Sequence, residues 1–362
     1  MSDKKSCSVC GNEFEPNVKF CPDDGTPLRA IEETDPLIGQ VIADRYKIIS
    51  KIGEGGMGCV YLAEHVRMGR KCAVKMISPA LARDAGAVAR FNREAANASQ
   101  INHPGVVQVY DFGEGPNRSF YLAMEWVEGE TMSALIRREG PLSLGRAATL
   151  TKQVADALSA AHHRGIVHRD LKPDNILVSR QFDGSECVKV VDFGIAKSVV
   201  PDGGDTGTGQ TLTNVGVAVG TPEYMSPEQL AGERLDTRSD LYSLGLVFFE
   251  LLTADLPYPR VTSRETLVAR LTELPRTLLD VRPGRDWPAN VQTMLDWALA
   301  TDPTRRYPTA LEFSLDLSII IAAAPVDRID QRKTVPMQAT DIASSDTPTV
   351  GRNEVGSRRV VE

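Results

Sequence analysis

The stretch His168-Arg169-Asp170-Leu171-Lys172-Pro173-Asp174-Asn175 sets a carboxylate, an ammonium and an amide oxygen close together in the chain. Asp170 is a candidate general base, and Lys172 can neutralise charge on a group in transfer. Asn175 is a candidate ligand for a hard cation, which prefers oxygen donors. Seventeen residues beyond it, Asp192-Phe193-Gly194 supplies a second candidate metal carboxylate. Upstream lie a glycine-rich turn, Gly53-Glu54-Gly55-Gly56-Met57-Gly58, and a lysine in Cys72-Ala73-Val74-Lys75. Moving a phosphoryl group from ATP to a hydroxyl needs these parts in this order.

Each part taken alone has an ordinary reading. A lone Gly-x-Gly-x-x-Gly is often only a turn, and a lone strand lysine is usually just solvated. Here the turn lies between two strand-like runs, with Val60 and Tyr61 after it. That differs from the strand-to-helix setting of a dinucleotide fold. Glu94 falls on the next predicted helix, where it could pair with Lys75 and fix its ammonium.

The elements that must position these residues are legible. Residues 46–52, 59–65 and 71–77 are predicted strands separated by glycine turns, which suits an antiparallel sheet. Residues 86–100 have helical composition, and 106–112 and 120–126 predict two more strands. From Ser143 onward the chain is predicted to be mainly helical, apart from the 168–175 loop and its flanking strands. Residues 240–252 are almost wholly apolar after Asp240, as in a helix buried inside a large lobe.

Together the motifs resemble the eukaryotic-type serine/threonine protein kinase family in its bacterial form, over roughly residues 46–317. The resemblance implies an α+β, bilobal fold: an antiparallel β N-lobe with one helix, and a mainly helical C-lobe. It implies ATP and Mg²⁺ (or Mn²⁺) as cofactors and transfer to Ser/Thr hydroxyls of proteins in intracellular signalling. It assigns catalysis to Asp170, Lys172, Lys75 and Glu94, and magnesium to Asn175 and Asp192. It assigns the nucleotide contacts to Ile52, Gly53, Glu54, Gly55, Gly56, Met57, Gly58, Cys59, Val60, Ala73, Lys75, Met124, Glu125, Val127 and Leu177. Met124 matches the gatekeeper, and Glu125 to Val127 the adenine-binding hinge. The segment from Gly220-Thr221-Pro222-Glu223 to Pro227-Glu228 matches the end of an activation loop, with Ser226 replacing the usual alanine. The match pairs Glu228 with Arg305 and has Asp240 anchor the catalytic loop. Arg169, Lys197 and Arg90 match positions around an activating phosphate, for which Thr211 and Thr213 are the candidate acceptors.

The remaining sequence divides into a module at 1–30, a linker at 31–45, a kinase domain at 46–318 and a tail at 325–362. In the module, Cys7-x-x-Cys10 followed by Cys21-Pro22-Asp23-Asp24 resembles a zinc ribbon with Asp24 in the fourth ligand position. A Cys₃Asp zinc site, a zinc site completed by water, and a degenerate ribbon without metal all fit the spacing. The tail, rich in Thr, Ser, Asp and Arg, is predicted to be disordered. Its Thr334, Thr340, Thr347 and Thr349 are candidate sites for a phosphothreonine-binding partner.

A net charge of −7 and a pI near 5.4 argue against a nucleic-acid surface. No apolar run approaches the roughly 20 residues of a membrane span, and residues 1–30 carry no signal peptide, so a cytoplasmic location is expected. A catalytically dead scaffold would lack some of the motifs above, and all are present. A small-molecule phosphotransferase would usually lack the Gly-Thr-Pro…Pro-Glu segment.

Overall fold

The computed structural model describes residues 5–6, 12–14, 18–22, 25–26, 29–30, 35–55, 58–77, 85–116, 119–193, 222–258 and 263–323. All belong to the unit Met1–Pro325. Cys7, Cys10, Asp24, Gly56, Met57, Gly194, Lys197, Thr211, Thr213, Thr221 and the 325–362 tail lie outside the described residues.

Three short strands, β1 (Lys5–Ser6), β2 (Glu13–Phe14) and β3 (Arg29–Ala30), form an antiparallel sheet in the order β2-β1-β3. Between β2 and β3 the buried Cys21 opens a tight turn. Its N–H donates to Thr26 O at 2.8 Å, and Gly25 N–H donates back to Cys21 O at 2.9 Å.

The main sheet has six antiparallel strands in the order β4-β5-β6-β7-β9-β8. These are β4 (Val41–Ile42), β5 (Tyr46–Gly55), β6 (Gly58–His65), β7 (Arg70–Ile77), β8 (Val109–Glu114) and β9 (Phe120–Glu125). Alternation sends successive side chains to opposite faces. Ala73, Ile77, Leu122 and Met124 face the main core with Phe91 and Ala95 of helix α1 (Ala85–Ser99). Tyr46, Ile48, Tyr61, Cys72, Val74, Met76 and Tyr121 form a second core on the outer face.

Within the stretch expected as linker, 31–45, β4 pairs with β5, Val41 opposite Lys47 and Ile42 opposite Tyr46. The chain reverses through Ala43 (φ +51°) and Asp44 (φ +55°). Two left-handed residues fit a type I′ hairpin, which usually advertises itself with Asn-Gly. Without that pair the hairpin leaves no sequence signal.

The second half is helical, as expected. Strand β10 (Glu130–Thr131) leads into α2 (Met132–Glu139), whose N-cap Thr131 accepts the Ala134 N–H at 3.1 Å. Next come α3 (Leu144–His162), strands β11 (Ile176–Arg180) and β12 (Glu186–Val190), and α4 (Pro227–Ala231). Helices α5 (Thr237–Thr253), α6 (Ser263–Thr272), α7 (Leu278–Val281), α8 (Ala289–Ala298) and α9 (Ala310–Ala323) complete the lobe. Every residue of α5 from Ser239 to Thr253 is buried. Gly245 lets α8 close on it, since a Cβ there would lie 2.9 Å from Ala298 Cβ. The one acid in the first turn of α5, Asp240, reaches the catalytic loop.

Candidate active site

The 168–175 loop hangs from Asp240. Its Oδ2 accepts the backbone N–H of His168 at 2.8 Å, and Oδ1 accepts that of Arg169 at 2.9 Å. His162 Nε2 stands 2.8 Å from the same Oδ2. Burial pushes this carboxyl up, but the donors from His162 and His168 outweigh it and hold the group below the usual carboxylate range. His168 accepts the Asp170 N–H on Nδ1 at 3.2 Å, so its Nε2 carries the proton donated to Val191 O at 2.9 Å. The His168 ring also lies 4.7 Å from that of Phe193. One histidine thus ties the loop before Asp170 to the segment bearing Asp192. Arg169 (φ +65°) and Asp192 (φ +61°) are both left-handed. Non-glycine residues pay for that conformation, typically about 1–3 kcal/mol, and it recurs where function fixes the backbone.

Between these anchors the polar groups converge. Asn175 Nδ2 donates to Asp170 O at 2.8 Å and to Asp170 Oδ2 at 3.2 Å. Lys172 Nζ lies 3.1 Å from that Oδ2. Lys75, buried on β7, places Nζ 2.7 Å from Asp192 Oδ2. Burial raises the Asp192 carboxyl, and the Lys75 ammonium, with Lys172 beyond it, more than reverses this, so it stays ionised. Because Asn175 uses its N–H₂ on Asp170, its Oδ1 is the atom left to ligate. That amide oxygen and the Asp192 carboxylate make an all-oxygen pair suited to Mg²⁺ or Mn²⁺. Among the described residues no group of three or more His, Cys, Asp or Glu could hold a metal by itself.

Glu94 lies on α1, where the sequence placed it. No Lys75–Glu94 ion pair is formed among the described residues. The left-handed turn at Asp192 aims its carboxylate at β7, and the ammonium takes that partner instead.

Four of the residues expected to contact nucleotide share one face of the main sheet. Val60 stands opposite Lys75, and Ala73 opposite Met124, so all four side chains lie on the same face of the main sheet. Leu177 rises from β11 opposite Thr131. Gly58 (φ +145°) is needed where it is, because a Cβ would meet Met76 O at 1.9 Å. Glu125 turns its side chain away from this face, to Lys189 at 2.9 Å. Its N–H is held by Gln108 O at 2.9 Å, which leaves the Glu125 carbonyl and Val127 to present the hinge. Ile52 is exposed at the edge, and Cys59 points to the outer face. Behind Met124, a small apolar cavity reaches Ala98, Val190 and Phe193.

The Glu228 pairing requires correction. Its partner is Arg306, not Arg305: Nη1–Oε1 and Nη2–Oε2 are both 2.8 Å. The short turn Pro303–Arg305 leaves Arg305 exposed and directs the next side chain inward, where Arg306 is fully buried. Ser239 Oγ donates to Glu228 Oε1 at 2.6 Å, and the Arg306 guanidinium lies over Tyr242 at 4.9 Å. Burial raises the Glu228 carboxyl, but Arg306 and Ser239 hold it below the usual range. Two positioning contacts left no sequence signal. Gln229 Nε2 donates to Arg169 O at 2.7 Å, tying α4 to the catalytic loop, and His162 braces Asp240.

A sequence model of the protein kinase domain matches residues 46–314. The chain belongs to the protein kinase family. It is 39% identical over 288 residues to the serine/threonine-protein kinase pkn3 of Myxococcus xanthus, covering 80% of this chain and 52% of that protein. To Pkn1 of the same organism it is 39% identical over 373 residues, covering 98% of this chain and 51% of that one. To PknB of Mycolicibacterium smegmatis it is 39% identical over 285 residues, covering 77% and 43%. The kinase chain thus spans about half the length of the curated relatives it matches. The crystal structure of the PknI kinase domain of Mycobacterium tuberculosis superposes with a TM-score of 0.61 at 29% identity, covering 78% of this chain and 98% of that one. These relatives are serine/threonine-protein kinases, and ATP with Mg²⁺ or Mn²⁺ are the cofactors of the protein kinase family. No described helix is long and apolar enough to cross a membrane.

Proposed function

We propose that the chain is an active, ATP-dependent protein serine/threonine kinase acting in signalling inside the cell. The observation that carries this reading is the convergence of Lys75, Asp170, Lys172, Asn175 and Asp192 in one cleft. Lys75 binds the α- and β-phosphates, with Glu94 on α1 as the helix-side carboxylate of that site. Asn175 Oδ1 and Asp192 would hold magnesium, which when bound would supply positive charge against the transferring phosphoryl group. Asp170 orients the acceptor hydroxyl and takes its proton as oxygen bonds to phosphorus; the bond to ADP breaks. Lys172 offsets the negative charge beside Asp170. Val60, Ala73, Met124 and Leu177 enclose the adenine, and backbone groups of Glu125–Val127 read its edge.

The test is transfer of labelled γ-phosphate from ATP to the chain itself and to casein, followed by phosphoamino-acid analysis. Label on serine and threonine is expected; label confined to tyrosine or to small molecules overturns the reading.

Three finer readings accompany it. Thr211 or Thr213 accepts an activating phosphate that Arg169, Lys197 and Arg90 cradle, adding roughly −1.5 to −2 charge to the loop. A Thr211→Ala/Thr213→Ala chain as active as wild type removes that reading. Cys7, Cys10, Cys21 and Asp24 hold zinc in residues 1–30; the short sheet around Cys21 suits a segment too small to fold without a staple. Elemental analysis finding no zinc in folded protein rejects it. Phosphorylated tail threonines recruit a phosphothreonine-binding partner, and mass spectrometry of active protein finding no phosphate beyond residue 325 rules that out.

A further inference from the structure

Asp35 begins the described stretch 35–55, and its side chain is 18% exposed. Its Oδ2 accepts the Tyr61 hydroxyl at 2.7 Å and lies 4.0 Å from Lys51 Nζ. Its Oδ1 accepts the Leu37 N–H at 3.1 Å, and Leu37 packs on the outer-face core. The next residues are stapled along β5: Gly39 N–H donates to Ile48 O, and Ile48 N–H to Gln40 O, both at 2.9 Å. Asp35 is therefore held in place by its own segment and is not a passing surface contact.

Lys51 and Tyr61 are directly opposite each other on β5 and β6, the two strands that carry the glycine-rich turn. The ladder is irregular between Lys51 and Gly53, so backbone pairing holds the stem less firmly there. Lys51 reaches on to Glu54 Oε2 at 2.5 Å, inside the turn itself. Tyr61 is buried, and its neighbour Val60 faces Lys75 on the nucleotide side. A carboxylate hydrogen-bonded to Tyr61 and facing the Lys51 ammonium at 4.0 Å thus touches both strands of the stem just below Gly53–Gly58. Burial, and after it the Asp35 hydrogen bond, keeps the Tyr61 phenol protonated far above its ordinary range, so the donor persists at any working pH.

We propose that Asp35 is a positioning residue for ATP: it clamps the stem of the glycine-rich turn through Tyr61 and Lys51 and so sets nucleotide affinity without touching the nucleotide. The proposal rests on the kinase reading above. Losing the clamp lets the turn sample conformations that do not cradle phosphate, which weakens binding but leaves Asp170 and the acceptor geometry unaltered. A general structural role would instead lower melting temperature and active fraction without separating these constants.

The experiment uses the full chain as wild type, Asp35→Ala, Asp35→Asn and Tyr61→Phe. Calorimetric titration with a non-hydrolysable ATP analogue and magnesium gives Kd, and turnover on casein gives KM for ATP and kcat. For Asp35→Ala, Kd and KM should rise about three- to tenfold, the scale of the net contribution of one ordinary hydrogen bond, with kcat within about twofold. Tyr61→Phe should share the rise. Asp35→Asn, which keeps an acceptor for Tyr61 but loses the charge facing Lys51, should fall between. Wild-type binding matched by Asp35→Ala and Tyr61→Phe overturns the clamp alone. A folded wild type that does not bind the analogue overturns the kinase reading and the clamp with it.

Discussion

Removing Arg306 should damage this protein far more than removing its neighbour Arg305. Arg306 is fully buried and Glu228 is 5% exposed, so deleting the guanidinium leaves a desolvated carboxylate with only Ser239 and backbone donors. Breaking a buried pair from one side costs about 3–5 kcal/mol. Arg306 also donates to Ala300 O at 2.7 Å, Thr301 O at 3.0 Å and Arg238 O at 3.1 Å, which favours the upper part of that range. At about 2–4 °C per kcal/mol for a domain of this size, a loss of about 4–5 kcal/mol means that Arg306→Ala should lower Tm by about 8–20 °C. Arg305 is exposed and forms no ion pair among the described residues, so Arg305→Ala should stay within about 0.5 kcal/mol. Scanning calorimetry on both variants, and on Glu228→Gln with and without Arg306→Ala, gives the coupling directly. The double variant should cost less than the two single costs added, because Gln no longer buries a charge. Equal Tm losses for Arg305→Ala and Arg306→Ala would refute the assignment.

Acid should destabilise the fold through the same carboxylates. Glu228, Asp240 and Asp192 all have folded pKa values below their ordinary ones, so their contribution is complete above the unfolded values near 4 and is lost as pH falls through the folded values. Denaturant midpoints should be level from about pH 6 to 8 and decline below about pH 4; a midpoint that climbs on acidification contradicts this. Gly58→Ala should lower stability by about 2 kcal/mol or more and weaken nucleotide binding, since both the φ of +145° and the 1.9 Å approach to Met76 O exclude a Cβ. An unchanged thermal midpoint would show that the strand tolerates the side chain.

Much of the site was legible because its motifs are local. Asp170, Lys172 and Asn175 lie on one loop, and their types and spacing already carry the chemistry. The main sheet and the buried α5 were legible from alternation and from an unbroken apolar run. What escaped depends on details of backbone direction. Whether Arg305 or Arg306 turns inward is decided by where the Pro303–Arg305 turn ends, which adjacency of two arginines does not reveal. Lys75 meets Asp192 across 117 positions because Asp192 adopts a left-handed backbone, a conformation its residue type rarely announces. The 35–45 segment reads as linker because Ala43 and Asp44 make a hairpin without glycine, and Asp35 acts through Tyr61, far along the sheet. Gln229 and His162 carry ordinary side chains whose roles exist only once α4 and α3 are packed against the loop.

The central claim is that Asp170 performs phosphoryl transfer in a site assembled by Lys75, Asn175 and Asp192. The direct measurement is the rate of γ-phosphate transfer by folded Asp170→Asn chain, alongside its calorimetric affinity for a magnesium–ATP analogue. The account predicts transfer slowed by about 10²- to 10⁴-fold, with nucleotide affinity within a few-fold of wild type. Near-normal transfer by a folded Asp170→Asn chain would contradict it.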